Sequence, residues 1–170
     1  MELGKVIEDR RSIRSFNDKV LAKDIIVDIL NYAILAPSAK NRQPWYFVIV
    51  QNKDLKQKIG DSLYKKMGDV SKTTSNVIKD CQALVLVYAE IEDMVMDTVS
   101  VGAGIENMIL RATDLGVASL WIGLILNIEE ELSKNLQIDK KLISAVAFGY
   151  TDTIPLKRPR KSLEEVSRWY

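Results

Sequence analysis

The stretch Ala36-Pro37-Ser38-Ala39-Lys40-Asn41-Arg42-Gln43-Pro44-Trp45-Tyr46-Phe47-Val48-Ile49-Val50 separates two kinds of periodicity. Before it, from Lys23 to Leu35, the apolar residues Ile25, Ile29 and Ala33, flanked by Ile26, Leu30 and Ile34, recur at helical spacing. That helix must stop ahead of Pro37, because the ring restricts the preceding residue. After it, Tyr46 to Val50 is an aromatic and β-branched run bounded by Pro44 and Asn52-Lys53, the pattern of a buried strand. The loop between offers hydroxyl, amide and guanidinium donors on a proline-constrained backbone, suited to a polar planar ligand. Taken alone it reads more simply as a proline-bounded turn whose Ser and Asn bond their own backbone.

Outward from this junction, helices and strands interleave. Leu55, Ile59, Leu63 and Met67 predict an amphipathic helix, and Ala83 to Ala89 a second buried strand. From about Asp93 to Leu115 the pattern is apolar on most sides, as in a helix buried in a core or an interface, with Gly116 as its stop. Ala118 to Ile122 reads as a short strand, and Asn127 with Glu130 as a capping box opening a helix to about Leu136. Leu142 to Tyr150 is a last strand, and Ser162-Leu163-Glu164-Glu165 opens a short terminal helix. Long helices with few strands predict an α+β fold, helices covering a central sheet. No repeat or linker interrupts the chain, so residues 1–170 are expected to form one domain.

Composition removes many chemistries. Lys and Arg number 24 against 23 Asp and Glu, so no overall charge favours nucleic acid or an anionic membrane. There is no histidine and one cysteine, Cys81, which reads as a buried small hydrophobe. Ser-His-Asp triads, Cys-His pairs, histidine-ligated zinc and thiolate clusters are therefore excluded. An enzyme built this way would draw its reactive atom from a cofactor. The charged start predicts no secretory signal, and the longest nearly apolar run, Val117 to Leu126, is too short for a membrane helix. A soluble, cytoplasmic protein is expected.

Four segments carry candidate chemistry. Arg10-Arg11-Ser12-Ile13-Arg14-Ser15-Phe16 sets three guanidinium groups beside two hydroxyls, a compact anion site. In extended chain Arg10, Ser12 and Arg14 would share one side; a solvated basic loop is an equal reading. The 36–45 loop is the second. The third is Leu120-Trp121-Ile122-Gly123, where a glycine after a strand permits close approach of a flat ligand to main-chain N–H groups, although such a tryptophan is more often core. The fourth, Lys157-Arg158-Pro159-Arg160-Lys161, is either a solvated basic tail or a partner for the N-terminal arginines at one phosphate.

In this order the segments resemble the nitroreductase family across essentially the whole chain: R-R-S-I-R-S-F, P-S-A-K-N-R-Q-P-W, G-x-x-x-E-N-M-I-L-R-A-x-x-L-G through L-W-I-G, F-G-Y, and K-R-P-R-K-S-L-E-E-V. The resemblance implies a nitroreductase-like α+β fold with a central, mostly antiparallel sheet, and a domain-exchanged homodimer holding two FMN molecules at its interface. It implies Arg10 and Ser12 as phosphate and ribityl ligands with Arg11 adjoining, Arg14 beside flavin N1 and O2, and Arg158 and Arg160 returning to the phosphate. Pro37, Ser38, Asn41 and Gln43 resemble the loop laid on the flavin by the partner subunit. Trp121, Ile122 and Gly123 resemble the segment facing flavin N5.

The implied activity is ping-pong hydride transfer from NADH or NADPH to an electron-poor acceptor such as a nitroaromatic or quinone, with no side-chain catalyst and no metal. Reductive dehalogenation, flavin reduction or desaturation of a dedicated metabolite are alternatives on the same fold. A non-catalytic FMN-binding dimer and a nucleic-acid module using the basic arms are the others. Two departures from the family pattern stand out. Met67 to Cys81 is short and polar, implying reduced or missing lid elements, and no side chain matches the group that meets the far edge of the flavin pyrimidine.

Overall fold

The computed structural model describes residues 2–170. Its centre is a four-stranded sheet of β1 (Trp45–Val50), β2 (Ala83–Ala89), β3 (Ala118–Ile122) and β4 (Lys141–Gly149), in the order β1-β2-β4-β3 with every neighbour antiparallel. Strand β2 is buried on both faces, so its unbroken apolar run serves two cores at once. Leu84, Leu86 and Tyr88 join one core, and Ala83, Val85, Val87 and Ala89 the other, the alternation that a period of two dictates.

The helices divide between the two faces. On the first face lie α3 (Lys53–Met67), α4 (Lys72–Asp80) and α6 (Glu129–Leu136), contributing Ile59, Leu63, Val77, Ile78 and Leu132. On the second lie α2 (Lys23–Ala33) and α5 (Met94–Asp114), contributing Ile26, Ile29, Val101, Ile105 and Met108. Each such side chain, fully buried, adds about 1.5–3 kcal/mol relative to exposure. A short α1 (Leu3–Asp9) precedes the arginine segment, and α7 (Leu163–Val166) lies in the tail with the expected capping box between Ser162 and Glu165. Gly116 closes α5 at φ 71°, in the left-handed region that glycine enters at least cost.

The structure differs from the sequence reading in three places. Met67 to Cys81, read as a short polar stretch, is folded: a 3-10 turn, Gly68–Ser71, leads into α4, which packs on α3. Asn127 does not cap α6. It sits within the 3-10 turn Leu124–Ile128 and its Nδ2 donates to the Leu124 carbonyl at 3.0 Å, leaving Ile128 at the N-cap. Helix α1 was not foreseen, because a seven-residue helix with Val6 as its buried residue shows little period. Among the described residues no helix is long and apolar enough to cross a membrane.

Candidate functional site

Arg10 ends α1, and the chain then runs extended along the outer edge of β3. Ser12 pairs with Ser119 in parallel, and the Ile13 N–H donates to the Ser119 carbonyl at 2.9 Å. Ile13 is buried while Ser12 and Arg14 face solvent, the alternation expected of extended chain. In this parallel register Arg14 stands two residues beyond Ser12, as Trp121 stands two beyond Ser119. The arginine segment is thus drawn alongside the end of β3.

Residues from both ends of the sequence line one cavity of about 450 Å³: Arg10, Arg11, Ser12 and Arg14 with Pro155 to Arg158 and Arg160, and Ile7 and Glu8 of α1 at its margin. Among the described residues no carboxylate lies within ion-pair distance of these arginines or of Lys157. Arg11 donates through Nη1 to the carbonyls of Glu8 at 2.6 Å and Arg10 at 2.9 Å, yet its buried Nε has no acceptor. Several guanidinium groups without carboxylate partners lining one cavity are the environment an oxyanion satisfies. Both basic segments also reach Asp9, whose carboxyl is held below its usual range by the Lys5 hydrogen bond, with Arg11 and Lys157 adding to the effect.

The 37–43 loop does not line that cavity. Lys40, Asn41 and Gln43 all take positive φ, between 50° and 55°, which non-glycine residues adopt only when neighbours enforce it. The enforcement is visible. Arg42 donates from Nε at 2.9 Å and from Nη2 at 2.6 Å to Oδ1 of Asp97 on α5. Asp97 Oδ2 accepts the Glu92 and Asp93 N–H groups at 2.9 and 2.8 Å, and the Ala39 N–H donates to Ser100 Oγ at 3.2 Å. These bonds hold the Asp97 carboxyl below its usual range, the Asp93 N–H most of all. Ser38 Oγ accepts the Gln43 N–H at 3.0 Å, so its oxygen is engaged within the turn, whereas Pro37, Asn41 and Gln43 are exposed. Sequence reasoning passed over Arg42 and Asp97; an acidic residue set among the apolar positions of a long helix was the available signal.

At the end of β3, Trp121 is exposed to 42% and its Nε1 donates to Ser144 Oγ on β4 at 2.7 Å. Ser144 Oγ lies 3.0 Å from the Ile122 carbonyl. Gly123 has φ −77°, an ordinary value for any residue, and a Cβ placed there would meet nothing within 4 Å. Neither backbone nor neighbours demand glycine, and the space above it is open, so a flat ligand can approach the main chain. Among the described residues no group of metal-binding side chains is assembled.

Known proteins share this fold. The profile of the nitroreductase family matches residues 7–150. An Archaeoglobus fulgidus protein, provisionally named NADH dehydrogenase/NAD(P)H nitroreductase, is 33% identical over 153 residues, 88% of this chain and 85% of that protein. The crystal structure of a BluB-like flavoprotein from Clostridium difficile is 25% identical with a TM-score of 0.87, covering 100% of this chain and 99% of that one. A Desulfovibrio desulfuricans structure, provisionally described as a nitroreductase in complex with FMN, is 25% identical with a TM-score of 0.86, covering 98% and 95%. With one profile running from the first arginines to the end of the sheet, and a relative one-third identical over most of both chains, this protein belongs to the nitroreductase family.

Proposed function

We propose that the chain is an FMN-dependent oxidoreductase that takes hydride from NADH or NADPH and passes it to an electron-poor small molecule, working as a homodimer. The observation that carries this reading is the cavity shared by Arg10, Arg11, Ser12 and Arg14 with Arg158 and Arg160, whose guanidinium groups have no carboxylate at ion-pair distance among the described residues. Its donor set fits a phosphate monoester, and the open face at Gly123 fits a planar ring. The FMN named in the Desulfovibrio desulfuricans structure and the NAD(P)H in the Archaeoglobus fulgidus name support the same choice of ligands.

Bound FMN would supply the two-electron chemistry that a chain without histidine and with a buried cysteine lacks. Arg10, Ser12, Arg158 and Arg160 would hold the phosphate and ribityl end. Arg14, beside the pyrimidine, would place a fixed cation where reduction leaves negative charge, favouring the reduced state. The Trp121–Gly123 segment would present main-chain groups to the ring. Since the 37–43 loop lies outside the arginine cavity of its own chain, Pro37, Ser38, Asn41 and Gln43 are assigned to the flavin of the partner protomer. The tail supports a dimer too: Leu156, Leu163, Val166 and Trp169 are all exposed, apolar area that a second copy would cover.

The acceptor and the nucleotide share one pocket in this reading, so turnover is ping-pong. The deciding experiment records the visible spectrum of the purified protein and adds NADH anaerobically. A flavin band that bleaches, and recovers when a nitroaromatic or quinone is added, is expected. A colourless protein that gains no colour with FMN would overturn the proposal.

A further inference from the structure

Strand β4 carries a single polar side chain in its buried run Leu142 to Gly149, that of Ser144, which is 2% exposed. A buried hydroxyl destabilises unless its hydrogen bonds are met, and both bonds of Ser144 go to the end of β3. Their polarity is fixed by chemistry. An indole nitrogen only donates, so Trp121 Nε1–H occupies a lone pair of Ser144 Oγ; the single hydroxyl proton is then directed to the Ile122 carbonyl.

An irregularity lies beside Ser144. Val87 pairs with Ser144 but Tyr88 with Leu142, so Ile143 is the extra residue of a bulge. Leu142 and Ala145 consequently serve the same core although three positions apart, and Ile143 packs against the other. Ser144 itself, two residues from Val146, shares the face of Trp121, which pairs with Val146, and lies diagonal to it across the β3–β4 ladder.

The carbonyl of Ile122 and the N–H of Gly123 belong to one planar trans peptide and point in opposite directions. Holding the carbonyl inward toward β4 therefore turns the N–H outward, to the edge of β3 along which the Ser12–Arg14 segment runs. Donation to the carbonyl oxygen also polarises the peptide and strengthens its N–H as a donor. We propose that Ser144 is a positioning residue: through its hydrogen bond to the Ile122 carbonyl it aims and polarises the Gly123 N–H at the open ligand face. The inference rests on the proposed FMN site, because flavin N5 is the acceptor that reading sets before this segment.

The test uses the flavin-loaded protein labelled with 15N-glycine, whose 8 glycines give a small, assignable set of amide signals, with Gly123 identified by its loss in Gly123→Ala. In Ser144→Ala the Gly123 amide proton is expected to move upfield, the flavin midpoint potential to shift, and anaerobic reduction by NADH to slow roughly fivefold to tenfold, with FMN content unchanged. Ser144→Thr, which keeps the hydroxyl, is expected to restore the amide signal and the potential. Should either variant fail to fold, Trp121→Phe gives the same reading from the other end of the relay, with a smaller shift of the same amide. A flavin-loaded Ser144→Ala with unchanged amide shift and potential overturns this inference alone. A wild-type protein that takes up no flavin overturns the functional proposal and this inference with it.

Discussion

Arg11 keeps one donor, Nε, out of water with nothing to accept it, a condition that costs about 1–3 kcal/mol or more for a charged group. The rest of the Arg11 side chain and the neighbouring Arg10 line the cavity shared with the 155–160 segment. Arg10→Ala should weaken FMN by about 1.5–3 kcal/mol, roughly ten- to 150-fold in Kd, measurable by fluorescence titration of the stripped protein. Gly123 makes a complementary prediction. Its backbone suits alanine and its surroundings are open, so Gly123→Ala should leave thermal stability unchanged or slightly raised while reducing flavin affinity. Equal affinity in calorimetric titration would show that no ring lies over it. At this scale the meeting of the two arginine segments at one cavity was legible, because clustered guanidinium groups at both ends suggested a shared ligand. Ser144 was not: its meaning comes from two partners on another strand, which a linear sequence does not display.

Between elements, the close approach of α3 and α4 turns on Gly60. A Cβ there would stand 2.8 Å from the Ser75 carbonyl oxygen and 2.7 Å from Lys79 carbons; the lysine can swing aside but the backbone cannot. Gly60→Ala should therefore destabilise by up to about 2 kcal/mol despite alanine's better helix propensity, a loss readable in urea unfolding. The same packing explains why α4 escaped sequence reasoning. Ser71 and Ser75 are buried with Val77 and Ile78, so small polar residues occupy positions where an apolar period was sought. Helix α2 and strands β1 and β2 were legible because their buried positions are apolar, and α5 because Val101, Ile105, Met108, Ile109 and Ala112 keep the helical period despite the buried Asp97 and Ser100.

The Arg42–Asp97 pair joins the 39–43 turn to α5, and its carboxyl is depressed in the folded protein. The stability it contributes is complete above the ordinary aspartate value of 3.8 and is lost as pH falls through the lower folded value. Urea titrations between neutral pH and pH 3 should show Asp97→Asn less stable near neutrality, with the gap to wild type closing as acid is added. A gap independent of pH would assign the loss to packing instead.

Across the whole molecule, the chain divides into a body with two cores and a tail that adds no buried residue after Gly149. In the proposed reading the tail serves the site rather than the fold, since Pro155 to Arg158 and Arg160 line the arginine cavity. Removing residues 154–170 should leave the melting temperature of the flavin-free body nearly unchanged but abolish FMN retention and convert the proposed dimer to a monomer, as sedimentation velocity would record. A truncated protein that stays dimeric and yellow would place the phosphate elsewhere.

One consequence concerns the order of events during synthesis. The cavity's two walls come from opposite ends of the polypeptide, while all four strands are complete by Gly149. Both walls must be clear of the ribosome before the pocket exists, so in the proposed reading riboflavin phosphate capture becomes a late step of maturation that follows closure of the sheet.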